Sequence, residues 1–445
     1  GRQEFGWENF TLASSTAKLN YLSQQIFRVL QRQMGEETAY ALAAGLTFVP
    51  PDRNGSVDHQ SVWDSFPTKW DSDEVNLDFL KEFRDYILRD GVVILGGNDD
   101  SEDHPLSEVG TEIPLGRQVF SHYNGAYVAR HDPDLNVWVL FNRKTGAKVR
   151  VAFYNDTADP SVPHADLNKA HAPELVDMKV TDKCPYECEH CYQGSTKDAA
   201  HADYKYMLEK LDEMAAARVF EVAYGGGEPT THPNFLDLLK ETKARRLVPN
   251  FTTRNLTYLK THGKELVNLV GRIAYSVDFE EEIAAFKKYH SANKDKKDKV
   301  ASVFSLTREG EWERVIGIQH VVGSVSQECL VELLEYCKAN WIDVTLLGWK
   351  VTGRGSEIKP HAVDWMAACK QANVYRMKID TALARSSDMS NINPETYHTT
   401  EGSVSCYIDA VERKIGPSSY ASSLLMKPCT NVAEDWKRVR MEHGA

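Results

Sequence analysis

Three thiols crowd into eight residues of this 445-residue chain: Cys184, Cys188 and Cys191, in the run Val180-Thr-Asp-Lys-Cys184-Pro-Tyr-Glu-Cys188-Glu-His-Cys191-Tyr192. Eight cysteines scattered at random over this length would rarely produce such a group. Three thiolates on one short loop can each take one iron of a cubane cluster. The fourth iron then lacks a protein ligand here and stays open to a small ligand, as in catalytic metal sites. Soft thiolates suit an iron–sulfur cluster better than a hard cation. Two other readings stay open. His190 can be counted as a fourth ligand to zinc, although its place directly before Cys191 is awkward for a shared tetrahedral ion. The three can also be unrelated core thiols.

A second run lies one strand–helix unit downstream: Tyr224-Gly225-Gly226-Gly227-Glu228-Pro229-Thr230. Glycines after a strand let the backbone approach a ligand closely. Glu228 can accept hydrogen bonds from an ammonium group.

These residues need a frame. From residue 174 the pattern alternates between short apolar runs and amphipathic stretches. Strands are expected near Leu175–Val180, Phe220–Tyr224, Asn250–Thr253, Ile273–Val277, Ile316–Val322 and Val344–Gly348. Helices such as Tyr206–Ala217, Phe235–Ala244 and Leu330–Ala339 fall between them. Six such units imply an α/β fold, a partial (β/α)6 TIM-like barrel whose site lies at the C-terminal strand ends. The first 170 residues form an expected N-terminal α+β domain. It has helical periodicity at 17–34, 36–46 and 77–88, then β-type segments around Gly125–Ala129, Val137–Phe141 and Lys148–Tyr154 with a turn at Asn142–Gly146. The domain limits are thus 1–170, 171–355 for the barrel and 356–445 for a C-terminal extension. The Lys-rich stretch Ser291–Lys299 is expected to be a solvated loop.

The net charge of −12 argues against general nucleic-acid binding or an anionic membrane surface as the main partner. No apolar run approaches the roughly 18 residues of a membrane span, and no signal peptide is visible, so a cytoplasmic protein is expected. The cysteine usage does not resemble a disulfide scaffold.

Cys184-x3-Cys188-x2-Cys191 followed by Gly226-Gly227-Glu228-Pro229 resembles the radical S-adenosylmethionine (SAM) superfamily over roughly residues 174 to 355. The resemblance implies a [4Fe-4S] cluster on the three cysteines, with SAM chelating the open iron. It places the SAM amino group at Gly226, Gly227, Glu228 and Pro229. It also implies softer SAM contacts: Arg254 near the carboxylate or ribose, Ser276 and Asp278 at the ribose hydroxyls, and Ile318 near the adenine. The chemistry implied is reductive cleavage to a 5′-deoxyadenosyl radical that takes hydrogen from a substrate, with an electron donor such as flavodoxin or ferredoxin. Cys406 and Gly416 faintly resemble the start of the extension found in peptide maturases, but Ala421 stands where a further cysteine would be needed. A single cluster is therefore expected. Cys406 as a hydrogen donor, and Asp380, Tyr420, Arg385 and Asp409 at the barrel mouth, are the substrate-side candidates. A peptide or protein is the first substrate expected. The alternatives are a small molecule or nucleotide, and, from a different class, a zinc-stabilised binding module without catalysis.

Overall fold

The structure, a computed structural model, describes residues 119–122, 127–132, 135, 137–143, 146, 148–152, 169–294, 302–308, 314–374, 378–387 and 401–443. The helices expected at 17–34, 36–46 and 77–88 lie outside these residues. The chain divides into two compact units, Gly1–His171 and Ala172–Ala445.

In the first unit, β1 (Val119–His122), β2 (Tyr127–Asp132), β3 (Val137–Asn142) and β4 (Lys148–Ala152) form an antiparallel sheet in chain order. β3 and β4 pair across the expected turn at Asn142–Gly146. Val139 and Phe141 are buried on it, and the buried Arg130 is held by Asp132 through Nη2–H to Oδ2 at 3.0 Å. A buried cation needs such a partner, since desolvation would otherwise dominate.

In the second unit the six expected strands form a continuous parallel run: β5 (Leu175–Thr181), β6 (Glu221–Gly226), β7 (Val248–Thr253), β8 (Ile273–Ser276), β9 (Ile316–Val321) and β10 (Val344–Leu347). Between them lie α1 (Tyr204–Ala216), α2 (Phe235–Ala244), α3 (Leu256–Leu269), α4 (Glu280–Asn293) and α5 (Gln327–Ala339). Ser291 to Asn293, expected in a loop, instead close α4. Side-chain caps start several helices: Asp203 accepts from Tyr206 N, Asn255 from Tyr258 N and Ser326 from Cys329 N. Each accepts from one of the four orphan N–H groups of a helix start.

Strand alternation separates two layers. Tyr224 and Phe251 point to the helices, where their rings meet Phe235 of α2 at 6.1 and 5.2 Å. Residues one position away point into the barrel. There Thr252 Oγ1 donates to Gln319 Oε1 at 3.3 Å, across the intervening strand β8.

The C-terminal segment extends this sheet rather than standing beside it. The short β11 (Lys378–Ile379) pairs with β10 at one edge. At the other edge β12 (Ser405–Asp409) pairs in parallel with β5, Cys406 opposite Val176 and Asp409 opposite Lys179. β13 (Lys414–Gly416) and β14 (Lys427–Pro428) continue it antiparallel. Three more helices follow β10: α6 (Trp365–Gln371), α7 (Thr381–Ser386) and α8 (Val432–His443). The buried Trp436 of α8 donates Nε1–H to Gly402 O and Ser405 O, at 2.9 and 3.1 Å.

Candidate functional site at the C-terminal strand ends

The cysteine loop leaves β5 at the C-terminal edge. Its path is set by Cys184 N donating to Thr196 O (2.8 Å), and by Cys191 N to Cys188 O and Gly194 N to Cys191 O (3.2 Å each). Glu187, between the first two thiols, sits at φ 46°, a left-handed conformation that side-chained residues seldom adopt. All three thiols are half-buried. Burial raises the Cys184 thiol pKa, while the N–H groups of Tyr186 and Glu187 hydrogen-bond to it and lower it. Burial pushes Cys188 up to about 11, against the lowering charge of Arg254.

The glycine run presses against the strand that feeds this loop. Gly227 N donates to Thr181 O at 2.7 Å and Glu228 N to Lys183 O at 2.8 Å. A Cβ on Gly227 would stand 2.2 Å from Lys183 O, and Gly226 has φ 115°, so side-chained residues do not fit at either position. Beside Gly225 the space is open.

Glu228 is buried and carries four protein donors. Oε1 accepts from Thr230 N (3.2 Å), Thr230 Oγ1 (2.6 Å) and Thr253 Oγ1 (2.7 Å); Oε2 accepts from Arg254 N (2.9 Å). Burial raises its pKa, and these hydrogen bonds oppose the shift. Glu228 is thus a brace between the exits of β6 and β7, with Oε2 retaining one acceptor position. Pro229 is buried in the short turn that follows.

Arg254 and Asp278 form the charged centre. The Arg254 guanidinium pairs with Asp278 and, at 2.5 Å, with Glu282. Asp278 also accepts from Val321 N at 2.7 Å and faces His190 Nε2 at 3.4 Å and His320 Nδ1 at 3.9 Å. Burial alone would raise the Asp278 pKa, but the His190 hydrogen bond and the Arg254 charge hold it well below the usual carboxylate range. The His190 ring packs between Phe279 (5.1 Å) and Trp349 (5.9 Å). Its Nε2 is committed to Asp278, which weakens its case as a fourth zinc ligand. Among the described residues no three His, Cys, Asp or Glu side chains converge as for a single metal ion. A cubane makes no such demand, because each thiolate takes its own iron. Half-buried thiols on one wrapping loop, with loop N–H groups turned to a sulfur, fit a [4Fe-4S] cluster.

Other expected residues separate into two sets. Ser276 ends β8 opposite Gln319 and faces the barrel. Ile318 does not: it has the parity of Ile316 and His320, so alternation puts it, 1% exposed, on the helix side. The inward neighbour is Gln319, which the sequence reading passed over. Cys406 also stays away from the strand ends. It is buried at the level of Val176, and burial raises its thiol pKa well above the ordinary value. Asp409 pairs with Lys179 at 2.8 Å, and the half-exposed Arg385 lies 3.8 Å from Glu401.

Asp380 and Tyr420 do meet, through Lys350. Lys350 Nζ lies 2.8 Å from Asp380 Oδ2 and over the rings of Tyr192 (5.1 Å) and Tyr420 (5.2 Å). Burial would lower its pKa, but Asp380 and its other neighbours hold it above the usual lysine value. Tyr192 follows Cys191 directly and donates to Ser419 Oγ at 3.0 Å, so this cluster adjoins the cysteine loop. The Tyr420 hydroxyl is buried with no hydrogen-bond partner.

A partial parallel barrel with a three-thiol loop at one strand end and a glycine turn at the next is the frame of a cofactor-dependent α/β enzyme. Residues 178–349 match the family model of the radical SAM superfamily, so the chain carries a radical SAM domain. That superfamily consists of enzymes that use a [4Fe-4S] cluster and SAM. The chain is 30% identical over 105 residues to the tungsten-containing aldehyde ferredoxin oxidoreductase cofactor-modifying protein of Pyrococcus furiosus. That match covers 23% of this chain and 30% of the relative. It is 31% identical over 101 residues to the mycofactocin maturase MftC of Mycobacterium ulcerans (22% and 27% of the two chains). To the PqqA peptide cyclase of Bradyrhizobium diazoefficiens it is 27% identical over 101 residues (22% and 26%). The matches thus span less than a third of these relatives. Among solved structures, Streptococcus suis SuiB bound to precursor peptide SuiA aligns over 68% of this chain and 85% of that one, with TM-score 0.47 and 13% identity. No helix among the described residues is long and apolar enough to cross a membrane.

Proposed function

We propose that this chain is a radical SAM enzyme that modifies a peptide or protein, with its single cluster held by Cys184, Cys188 and Cys191. The observation that carries the reading is the placement of the cysteine loop and the Gly225–Pro229 turn at the C-terminal ends of adjacent parallel strands, backbone against backbone. The chemistry supplied there when both cofactors are bound is reductive cleavage of SAM to methionine and a 5′-deoxyadenosyl radical that abstracts hydrogen from the substrate.

The protein's own share is binding and exclusion. Gly225, Gly226 and Gly227 give a backbone edge against which the methionine part of SAM can lie, with Glu228 Oε2 as a further acceptor. The resemblance assigns Arg254, Asp278 and Ser276 to the carboxylate and ribose of SAM. Lys350, Asp380 and the unpartnered Tyr420 hydroxyl offer hydrogen bonds to a substrate reaching the loop from the barrel mouth. An external one-electron donor such as flavodoxin or ferredoxin completes the cycle. A peptide substrate is supported by the matches to MftC and to the PqqA peptide cyclase.

The test is anaerobic reconstitution with iron and sulfide, then dithionite and SAM, with 5′-deoxyadenosine as product. About four irons and four sulfides per chain are expected, with loss of product in Cys188→Ala and retention in Cys329→Ala. Zinc without sulfide, or normal nucleoside formation by Cys188→Ala, defeats the assignment.

A further inference from the structure

The chain after β10 runs Trp349-Lys350-Val351-Thr352-Gly353-Arg354-Gly355, and it wraps the outside of the cysteine loop. Arg354 makes three hydrogen bonds to that loop: its N donates to Cys191 O at 3.0 Å, Nε to Cys188 O at 2.9 Å and Nη1 to Ser195 O at 3.1 Å. Thr352 Oγ1 adds a fourth, to Tyr192 O at 3.2 Å. Four carbonyls of the loop, two of them belonging to cysteines, are therefore captured by two residues of one segment.

The glycines on either side are what let the segment come so close. Gly353 has φ 54°, and a Cβ there would stand 2.4 Å from Tyr192 O and 2.7 Å from Cys191 O. A Cβ on Gly355 would stand 2.6 Å from Lys350 O and 3.1 Å from His190 O. Trp349 closes the turn by donating Nε1–H to Gly355 O at 3.0 Å. A plain strand exit requires none of this.

We propose that Arg354, admitted by Gly353 and Gly355, is a positioning residue that clasps the three-cysteine loop in its cluster-holding form. The inference rests on the cluster reading above. Fixing the Cys188 and Cys191 carbonyls on Arg354 holds the loop between the second and third thiols in one path and turns those oxygens to the arginine, away from the anionic sulfurs they would destabilise. The Ser195–Thr196 peptide is held at both ends, since Thr196 N donates to Asp182 O at 3.3 Å. Arg suits the task because its rigid fork reaches Cys188 O and Ser195 O together, which the single ammonium of a Lys cannot do.

The experiment compares wild type, Arg354→Ala, Arg354→Lys and Gly353→Ala after anaerobic reconstitution. It reads iron and sulfide per chain, the electron paramagnetic resonance of the reduced cluster, and its midpoint potential. Circular dichroism of the metal-free proteins controls for folding. In Arg354→Ala, iron and sulfide are expected to fall at least about twofold, or the resonance and potential to move, with the potential lowered. Arg354→Lys restores part of the difference. Gly353→Ala keeps the arginine but displaces the loop and gives the same defect. Wild-type iron, sulfide, resonance and potential in Arg354→Ala overturn the proposal. If Arg354→Ala does not fold, the same wild-type values in Gly353→Ala overturn it. A wild-type protein that takes up no iron–sulfur cluster overturns the function itself, a result distinct from either.

Discussion

Replacing Asp278 with Asn tests the charged centre of the site. Asn keeps the shape and can still accept from Val321 N, but it removes the negative charge facing Arg254 and His190. Arg254 is mostly buried, with 12% of its side chain exposed, and is left with Glu282 as its carboxylate partner. Breaking a buried pair from one side costs about 3–5 kcal/mol. The retained Glu282 offsets part of this, so we expect a loss of about 3 kcal/mol. At roughly 2–4 °C per kcal/mol for a unit of this size, the unfolding midpoint of the metal-free protein drops by about 6–12 °C. The pH dependence has a definite sign. The folded pKa of Asp278 is depressed, so its contribution is fully present above the unfolded carboxylate value of about 3.9. It is lost as pH falls through the lower folded value. The difference between wild type and Asp278→Asn should therefore be level from about pH 5 upward and narrow below that. Urea titrations from pH 3 to 8 measure it, and a double-mutant cycle with Arg254→Met isolates the pair. A loss under about 0.5 kcal/mol at neutral pH, or a difference that grows as pH falls, would refute the electrostatic account.

Two further outcomes follow from packing. Gly227→Ala puts a methyl 2.2 Å from Lys183 O, so the glycine turn and the cysteine loop must part. The expected cost is about 1–3 kcal/mol in urea unfolding, together with a lower iron content after reconstitution; unchanged values in both would mean the backbone approach is dispensable. Trp436→Phe leaves Gly402 O and Ser405 O without their buried donor and should cost about 1–3 kcal/mol. An unchanged urea midpoint would show that the C-terminal helix does not anchor β12.

The barrel strands were legible because most were short apolar runs alternating with amphipathic stretches, and the ends of all six lie within two residues of where the sequence placed them. The cysteine loop and glycine turn were legible because their chemistry needs fixed spacing on contiguous residues. The face that Ile318 takes was not legible, because apolar character alone does not say which side of a strand a residue occupies. Gln319 and Thr252 were missed because a polar pair bonded across a barrel leaves no local signature. Lys350 and Arg354 were within reach: the glycines around residues 353 and 355 marked an unusual exit, but its partner, the cysteine loop, lies some 160 residues earlier. A longer separation, 230 residues, hid β12, whose place beside β5 depends on a pairing that no local pattern encodes.

That pairing bears on the order of assembly. β5, which launches the cysteine loop, is flanked on one side by β6 and on the other by a strand that begins at residue 405. During synthesis the three thiols are therefore exposed long before one flank of their own strand exists. Loop closure over such a separation costs little more than over a shorter one at equilibrium, but contacts this distant in sequence form slowly. Until residues 405–409 arrive, β5 presents an open edge able to pair with another chain. A nascent or truncated chain ending before residue 401 is accordingly the species most exposed to aggregation, and a holding chaperone would have its greatest effect on yield in that interval.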